Sequence, residues 1–121
     1  NLEYDGFTRT YLVAVYTGKK ERFTNYPLFF IDATAAPVES ELIGRGGEAG
    51  LLLSPARPTE AVSETGGCWF GLGQTGVYAF GDGRYAFSQH MNRIEDGKRT
   101  QASEVILYRL DRTSDSVFTE V

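Results

Sequence analysis

The chain has one cysteine, Cys68, and one histidine, His90, in 121 residues. A single thiol excludes an internal disulfide and any multi-cysteine zinc site, and it favours a reducing, cytoplasmic setting. A single imidazole leaves no ordinary zinc ligand set, so no metal is expected. Any Ser-His-Asp or Cys-His nucleophile would have to use His90, yet no nucleophile-elbow pattern surrounds it. Ser88, two residues away, would sit on a different face of a helix. Long hydrophobic runs are also missing: the longest, Leu12 to Tyr16, is strand-sized and far short of the roughly 18 residues of a membrane span. No basic, apolar, small-residue signal pattern stands at the start, although a chain beginning at Asn1 leaves a removed signal peptide or tag open. A basic excess is lacking as well, with 12 Lys and Arg against 16 Asp and Glu and a net charge of -4, which argues against a nucleic-acid partner.

What is present is ordinary globular material, 41% hydrophobic and 23% charged, of a size for one domain spanning residues 1–121. Of the 14 glycines, four lie between Gly44 and Gly50 and seven between Gly66 and Gly83, so two regions bend the backbone. Thr8 to Tyr16 and Tyr26 to Asp32 read as strands, rich in β-branched and aromatic residues. Ala33 to Leu42 reads as a short helix, with Pro37 in its first turn and Gly44 ending it. GLLLSPARP is a brief apolar run stopped by Pro55 and Pro58, and TEAVSET adds a helical turn.

The stretch from Cys68 to Gly97 parses in two ways. YAF and RYAF can form a hairpin about Gly81-Asp82-Gly83. Alternatively, Asp82 caps a helix from Gly83 to Asp96 that Gly97 closes. Phe87, His90, Met91 and Ile94 fall at i, i+3, i+4 and i+7 with polar residues between them, and this stripe favours the helix. On that stripe His90 reads as a packed core residue. SEVILYRLD is then an apolar strand, and after a turn at Thr113 to Asp115 the segment SVFTEV pairs with it. The expected fold is α+β: a single compact domain with a strand-rich mixed or antiparallel sheet and two short helices. An all-β sandwich or barrel is the alternative.

GLGQTG and GRGGEAG lack the sequel of a dinucleotide or Walker loop. The doublets Lys19-Lys20 and Lys98-Arg99 read as solvated strand ends. Phe70, Tyr78, Phe80, Tyr85 and Phe87 cluster around the glycine turns, either filling a core or lining a cleft where a flat heterocycle stacks. Glu104, at the entry to an apolar strand, is the candidate acid, able to accept from a ribose hydroxyl or to stabilise a developing cation. Cys68, beside Trp69, reads as a small buried hydrophobe.

The string WFGLGQTGVYAFGDGRYAFSQHM followed by EVILYRLD resembles a pattern in the ADP-ribosyltransferase superfamily of small bacterial and phage proteins, and VAVYTG resembles its first strand. The resemblance implies an NAD-dependent enzyme that would transfer ADP-ribose to a macromolecular acceptor. Gly76 and Tyr78 would line the nicotinamide pocket, Tyr85 would stack on the ring, and Tyr16 and Gly18 would stand at the ribose or phosphate step. Glu104 or, second to it, Glu120 would be the catalytic acid. The family's histidine or arginine after the first strand is not there; Arg9 and Lys19 are the nearest substitutes. The competing expectation is a non-enzymatic acidic module, of phage, viral or bacterial origin, that binds or inhibits a protein partner through surface aromatics. In this reading the edge strand near Ser116 to Val121 is available for strand addition or homodimerisation.

Overall fold

The computed structural model describes residues 1–19, 21, 23–113 and 115–121. Among them the chain forms strands β1 (Leu2–Asp5), β2 (Thr10–Ala14), β3 (Leu28–Asp32), β4 (Val38–Glu41), β5 (Ala49–Leu52), β6 (Gly67–Cys68), β7 (Val77–Ala79), β8 (Arg84–Glu95), β9 (Lys98–Leu110) and β10 (Phe118–Glu120), and no helix. Every pairing is antiparallel. The first sheet has the order β1-β2-β3-β6, the second β10-β9-β8-β7, and β4 and β5 form a separate hairpin.

The inner faces of the two larger sheets share one core. Leu12, Ala14, Leu28, Phe30 and Cys68 come from the first sheet, Tyr85, Phe87 and Phe118 from the second, and Val62 and Val117 from the connections. The aromatic rings interlock edge to face: Phe118 meets Tyr85 at 4.8 Å, Phe87 at 5.2 Å and Phe70 at 4.7 Å between centroids. Burying side chains of this size contributes about 1.5–3 kcal/mol each, which makes the core the main source of stability.

The fold is therefore all-β, and this corrects the expected α+β domain with two helices. The segment from Gly83 to Asp96 is a strand because its backbone groups are satisfied along a continuous ladder, from Arg84 opposite Arg109 to Glu95 opposite Lys98. Asp96 and Gly97 both have positive φ, 50° and 74°, the two-residue turn whose twist suits a hairpin. What looked like a helix-closing glycine is thus the turn itself. The i, i+3, i+4, i+7 stripe is a coincidence of spacing: only Phe87 of that stripe is buried, beside Tyr85, at period two. The hairpin parse of YAF and RYAF is the one realised, with Val77–Ala79 opposite Phe87–Tyr85.

The second expected helix, Ala33 to Leu42, is likewise replaced. Val38–Glu41 pairs with Ala49–Leu52 across a turn containing Gly44, Gly46 and Gly47 at positive φ. So short a segment without an apolar stripe cannot offset the cost of helix nucleation, whereas the glycine turn brings a partner strand close. TEAVSET forms two separate turns and no helix, with Val62 donating to the Thr59 carbonyl at 3.2 Å and Gly66 to the Ser63 carbonyl at 2.9 Å. The strands expected at Thr8–Tyr16, Tyr26–Asp32 and Ser103–Asp111 contain β2, β3 and the later half of β9, and β10 pairs with β9 through Phe118–Glu120. Lys20 of the first basic doublet, and Ser114 of the turn before β10, lie outside the described residues.

Candidate functional site

Strand β1 is turned inside out. Its side chains alternate as a strand must, but the acids Glu3 and Asp5 face inward while Leu2 and Tyr4 face solvent, Leu2 64% and Tyr4 52% exposed. A slip of one residue would bury the apolar pair and expose the carboxylates. Hydrogen bonds fix the observed register instead. The fully buried Asp5 carboxylate accepts from the Phe7 N–H at 3.0 Å, the Thr8 hydroxyl at 2.7 Å and the Tyr85 hydroxyl. Glu3 accepts from the Ala79 N–H at 3.1 Å, and the Asn1 ammonium and amide donate to the carbonyls of Ala14, Gly73 and Gln74. Each buried acceptor that lost its donor would cost about 1–3 kcal/mol, so these bonds hold the strand with its apolar side out.

The inversion continues an apolar surface across the sheet. Leu2 is opposite Val13, which is opposite Phe29; Tyr4 is opposite Tyr11, which is opposite Ile31. Two rows of apolar side chains thus cross the outer face of β1, β2 and β3, where an antiparallel sheet with one solvated side ordinarily carries polar residues. Tyr4 and Tyr11 pack at 5.5 Å between ring centroids. Beyond β3, the segment Ser54–Ala56 borders Ile31 and closes a groove of about 550 Å³ lined by Val13, Phe29, Ile31, Leu53, Pro55 and Glu64. Phe29 also joins a second depression, of about 320 Å³, with Tyr16, Gly18, Phe23 and Tyr26. Tyr26 carries Trp69 at 4.6 Å, and that indole is 70% exposed.

Glu64 is exposed and lines the larger groove; Glu39, Glu41, Glu48 and Glu60 are exposed in the segments that follow β3, Glu48 paired with Arg45 at 3.0 Å. Surfaces that combine apolar rows, aromatic rings and a charged surround mark interaction sites. The apolar rows were missed in the sequence, although both parities of TYLVA and LFFI carry apolar residues, a pattern that requires something on each face.

The residues implied by the transferase resemblance are distributed over several surfaces. Tyr16 and Gly18 share the smaller depression beside β3. Gly76 precedes β7, where a Cβ would lie 2.7 Å from the Ser88 hydroxyl. Tyr78 points outward from the second sheet, edge-on to Phe80 at 5.0 Å. Tyr85 is enclosed in the core, where burial and then its bond to Asp5 raise its pKa well above the usual phenol range. Glu104 is exposed on β9 opposite Gln89, and Glu120 is exposed on β10 opposite Tyr108. Of these, Tyr16 and Gly18 line one depression.

His90, expected in the core, is exposed on β8 opposite Ser103, because the strand turns it away from the side that carries Phe87. Cys68 is buried, and burial pushes its thiol up to about 11, which keeps it protonated and unreactive at neutral pH. Among the described residues no group of three or more His, Cys, Asp and Glu side chains is arranged to hold a metal, and no helix is long and apolar enough to cross a membrane. Comparison with known proteins finds no matching family model, no matching curated protein and no matching solved structure.

Proposed function

We propose that this domain is a non-catalytic recognition module that binds a protein partner on the apolar outer face of β1, β2 and β3. The observation that carries the proposal is the inverted β1, which spends hydrogen bonds on keeping carboxylates inside so that Leu2 and Tyr4 extend the rows begun by Phe29 and Ile31. A solvent-facing strand has no need of that arrangement, whereas a docking face does. Glu64 in the groove and the net charge of -4 favour a partner segment that pairs aliphatic or aromatic side chains with lysine or arginine. Tyr4, Tyr11 and Trp69 are the natural anchors, since exposed aromatics dominate interface energies.

The test uses a random peptide library displayed on phage and selected against the wild-type domain. Enriched peptides should combine apolar and basic residues, and their affinity should fall about 30-fold in Tyr4→Ser/Tyr11→Ser, the effect of losing about 2 kcal/mol of anchor energy. Equal binding to the wild type and to this variant would overturn the proposal. NAD titrated into the same protein provides the arm for the ADP-ribosyltransferase reading, whose one geometric support is that Tyr16 and Gly18 share a depression. Saturable NAD binding that disappears in Tyr16→Ala would favour that enzyme over the module.

A further inference from the structure

The turn between β1 and β2 sets an arginine where a glycine would be expected. Arg9 has a φ of 55°, in the left-handed region, whereas Gly6 of the same turn lies outside that region. A left-handed last residue is an ordinary way to close such a hairpin, but glycine or asparagine usually fills it. The Ala33 N–H donates to the Arg9 carbonyl at 3.0 Å and holds the conformation. Arginine there carries a strain that glycine would relieve, and strain of this kind collects at functional sites.

Arg9 is one of three arginines around a polar bay. Two depressions adjoin at Arg57 and Pro58: one of about 330 Å³ between Thr8, Arg9, Asp32 and Arg57, the other of about 360 Å³ between Arg57, Thr59, Glu60 and Arg112. The arginines come from separate segments, the β1–β2 turn, the stretch after β5 and the stretch after β9. Arg57 donates its Nε to the Val62 carbonyl at 2.7 Å, which fixes the guanidinium and leaves its terminal amino groups without an acceptor among the described residues. Arg112 lies over the Phe7 ring at 5.8 Å, so the turn that carries Arg9 also holds Arg112. All three are exposed, and among the described residues none forms an ion pair, although Arg45 and Arg84 do.

Three unpaired arginines gathered from distant parts of an acidic chain repel one another, and an anion between them would offset that repulsion. One carboxylate stands in each depression as well. Asp32 accepts from the Thr34 N–H at 2.8 Å and hydroxyl at 2.6 Å, and Glu60 borders the second depression. We propose that the two depressions form one site for a small soluble polyol phosphate, a phosphate monoester that also carries hydroxyl groups. The free fork of Arg57 takes phosphate oxygens, Arg9 and Arg112 flank them, and Asp32 and Glu60 accept from the hydroxyls.

The acids narrow the ligand. Arginines alone would suit any anion, but a carboxylate in each depression repels a polyanion such as nucleic acid and admits an uncharged, hydroxylated body. The space suits a molecule the size of a sugar. This site goes beyond the recognition module and does not depend on it, because it shares no lining residue with the apolar groove of the first sheet.

Isothermal titration of the full chain with ribose 5-phosphate and with glucose 6-phosphate tests the proposal, with inorganic phosphate and ribose alongside. At least one sugar phosphate should bind saturably, with a dissociation constant on the order of 0.1–1 mM and at least about fivefold tighter than inorganic phosphate. Arg57→Gln should weaken that binding at least about tenfold. Arg9→Gly should weaken it at least about threefold while raising the urea midpoint, since glycine relieves the left-handed strain; an arginine kept only for structure would not separate the two effects. Circular dichroism checks that Arg57→Gln is folded, and Arg9→Gly carries the test if it is not. No saturable binding of either sugar phosphate up to about 20 mM overturns the proposal. So does binding unchanged in the folded arginine variants, inorganic phosphate bound as tightly as the esters, or binding lost in Tyr16→Ala, which would place the ligand in the depression beside β3.

Discussion

The two large sheets dispose of their residues in opposite ways. The first hides carboxylates, Glu3 and Asp5, and shows aromatic and aliphatic side chains to solvent. The second turns Tyr85, Phe87 and Phe118 inward and carries on its outer side both the arginines Arg84 and Arg109, opposite each other on β8 and β9, and apolar residues such as Tyr78 and Leu107. The contrast lies in the edge strands: both sheets feed the shared core, but only the first gives an edge strand, β1, whose inward positions are carboxylates and whose apolar side is left outside. The hydrogen bond from Tyr85 to Asp5 joins them, an inward acid of one sheet satisfied by an inward aromatic of the other.

The contrast breaks most severely at Phe87. Phe87→Ala should lower the unfolding free energy by about 3–5 kcal/mol, measured by urea denaturation, because the ring is fully enclosed and its neighbours cannot collapse around the space. Next is Tyr85→Phe, which keeps the ring but takes one donor from the buried Asp5 carboxylate; a loss of about 1–3 kcal/mol is expected.

The same bond makes the joint sensitive to alkali. The folded pKa of Tyr85 lies above its unfolded value of about 10, so its contribution is complete below pH 10 and is lost as pH rises toward the folded pKa. Between pH 10 and 11 the wild type should lose up to about 1.4 kcal/mol more than Tyr85→Phe, which denaturation curves at the two pH values would show. The smallest expected change in stability is at the outer face. Tyr4→Ser/Tyr11→Ser should stay within about 1 kcal/mol of wild type while losing peptide binding, and Tyr78→Ser on the second sheet should leave that binding intact.

The sequence reveals the segments better than their partners. LVAVY, LFFI and EVILYRL are recognisable as strands because apolar β-formers dominate locally. Arg84–Glu95 is not, since Phe87, His90, Met91 and Ile94 imitate a helical face, and what decides between the forms is a partner strand that local periodicity does not encode. Strand β1 is obscured for a related reason. LEYD shows which residues alternate but not which parity faces the core, and the answer depends on Tyr85 and Ala79, far along the chain. The apolar surface was half legible: Tyr11, Val13, Phe29 and Ile31 are surplus to a one-sided strand, but their alignment into rows exists only in the register. Glu104 stands out in the sequence as an isolated acid on a strand, and the structure leaves it exposed opposite Gln89.

The β8–β9 ribbon is one unbroken ladder that begins in the core and ends in solvent. Opening can start at Asp96–Gly97 and travel inward pair by pair, meeting little resistance until Ser88, which Thr75 and Gly76 hold, and Phe87, where β7 and the aromatic core take over. Amide exchange should therefore slow progressively along a single strand, from rapid at the tip to rates set by global unfolding at Tyr85. A contact made anywhere along the open part would shift that gradient outward, and so convert an event at the tip into slower exchange throughout the strand.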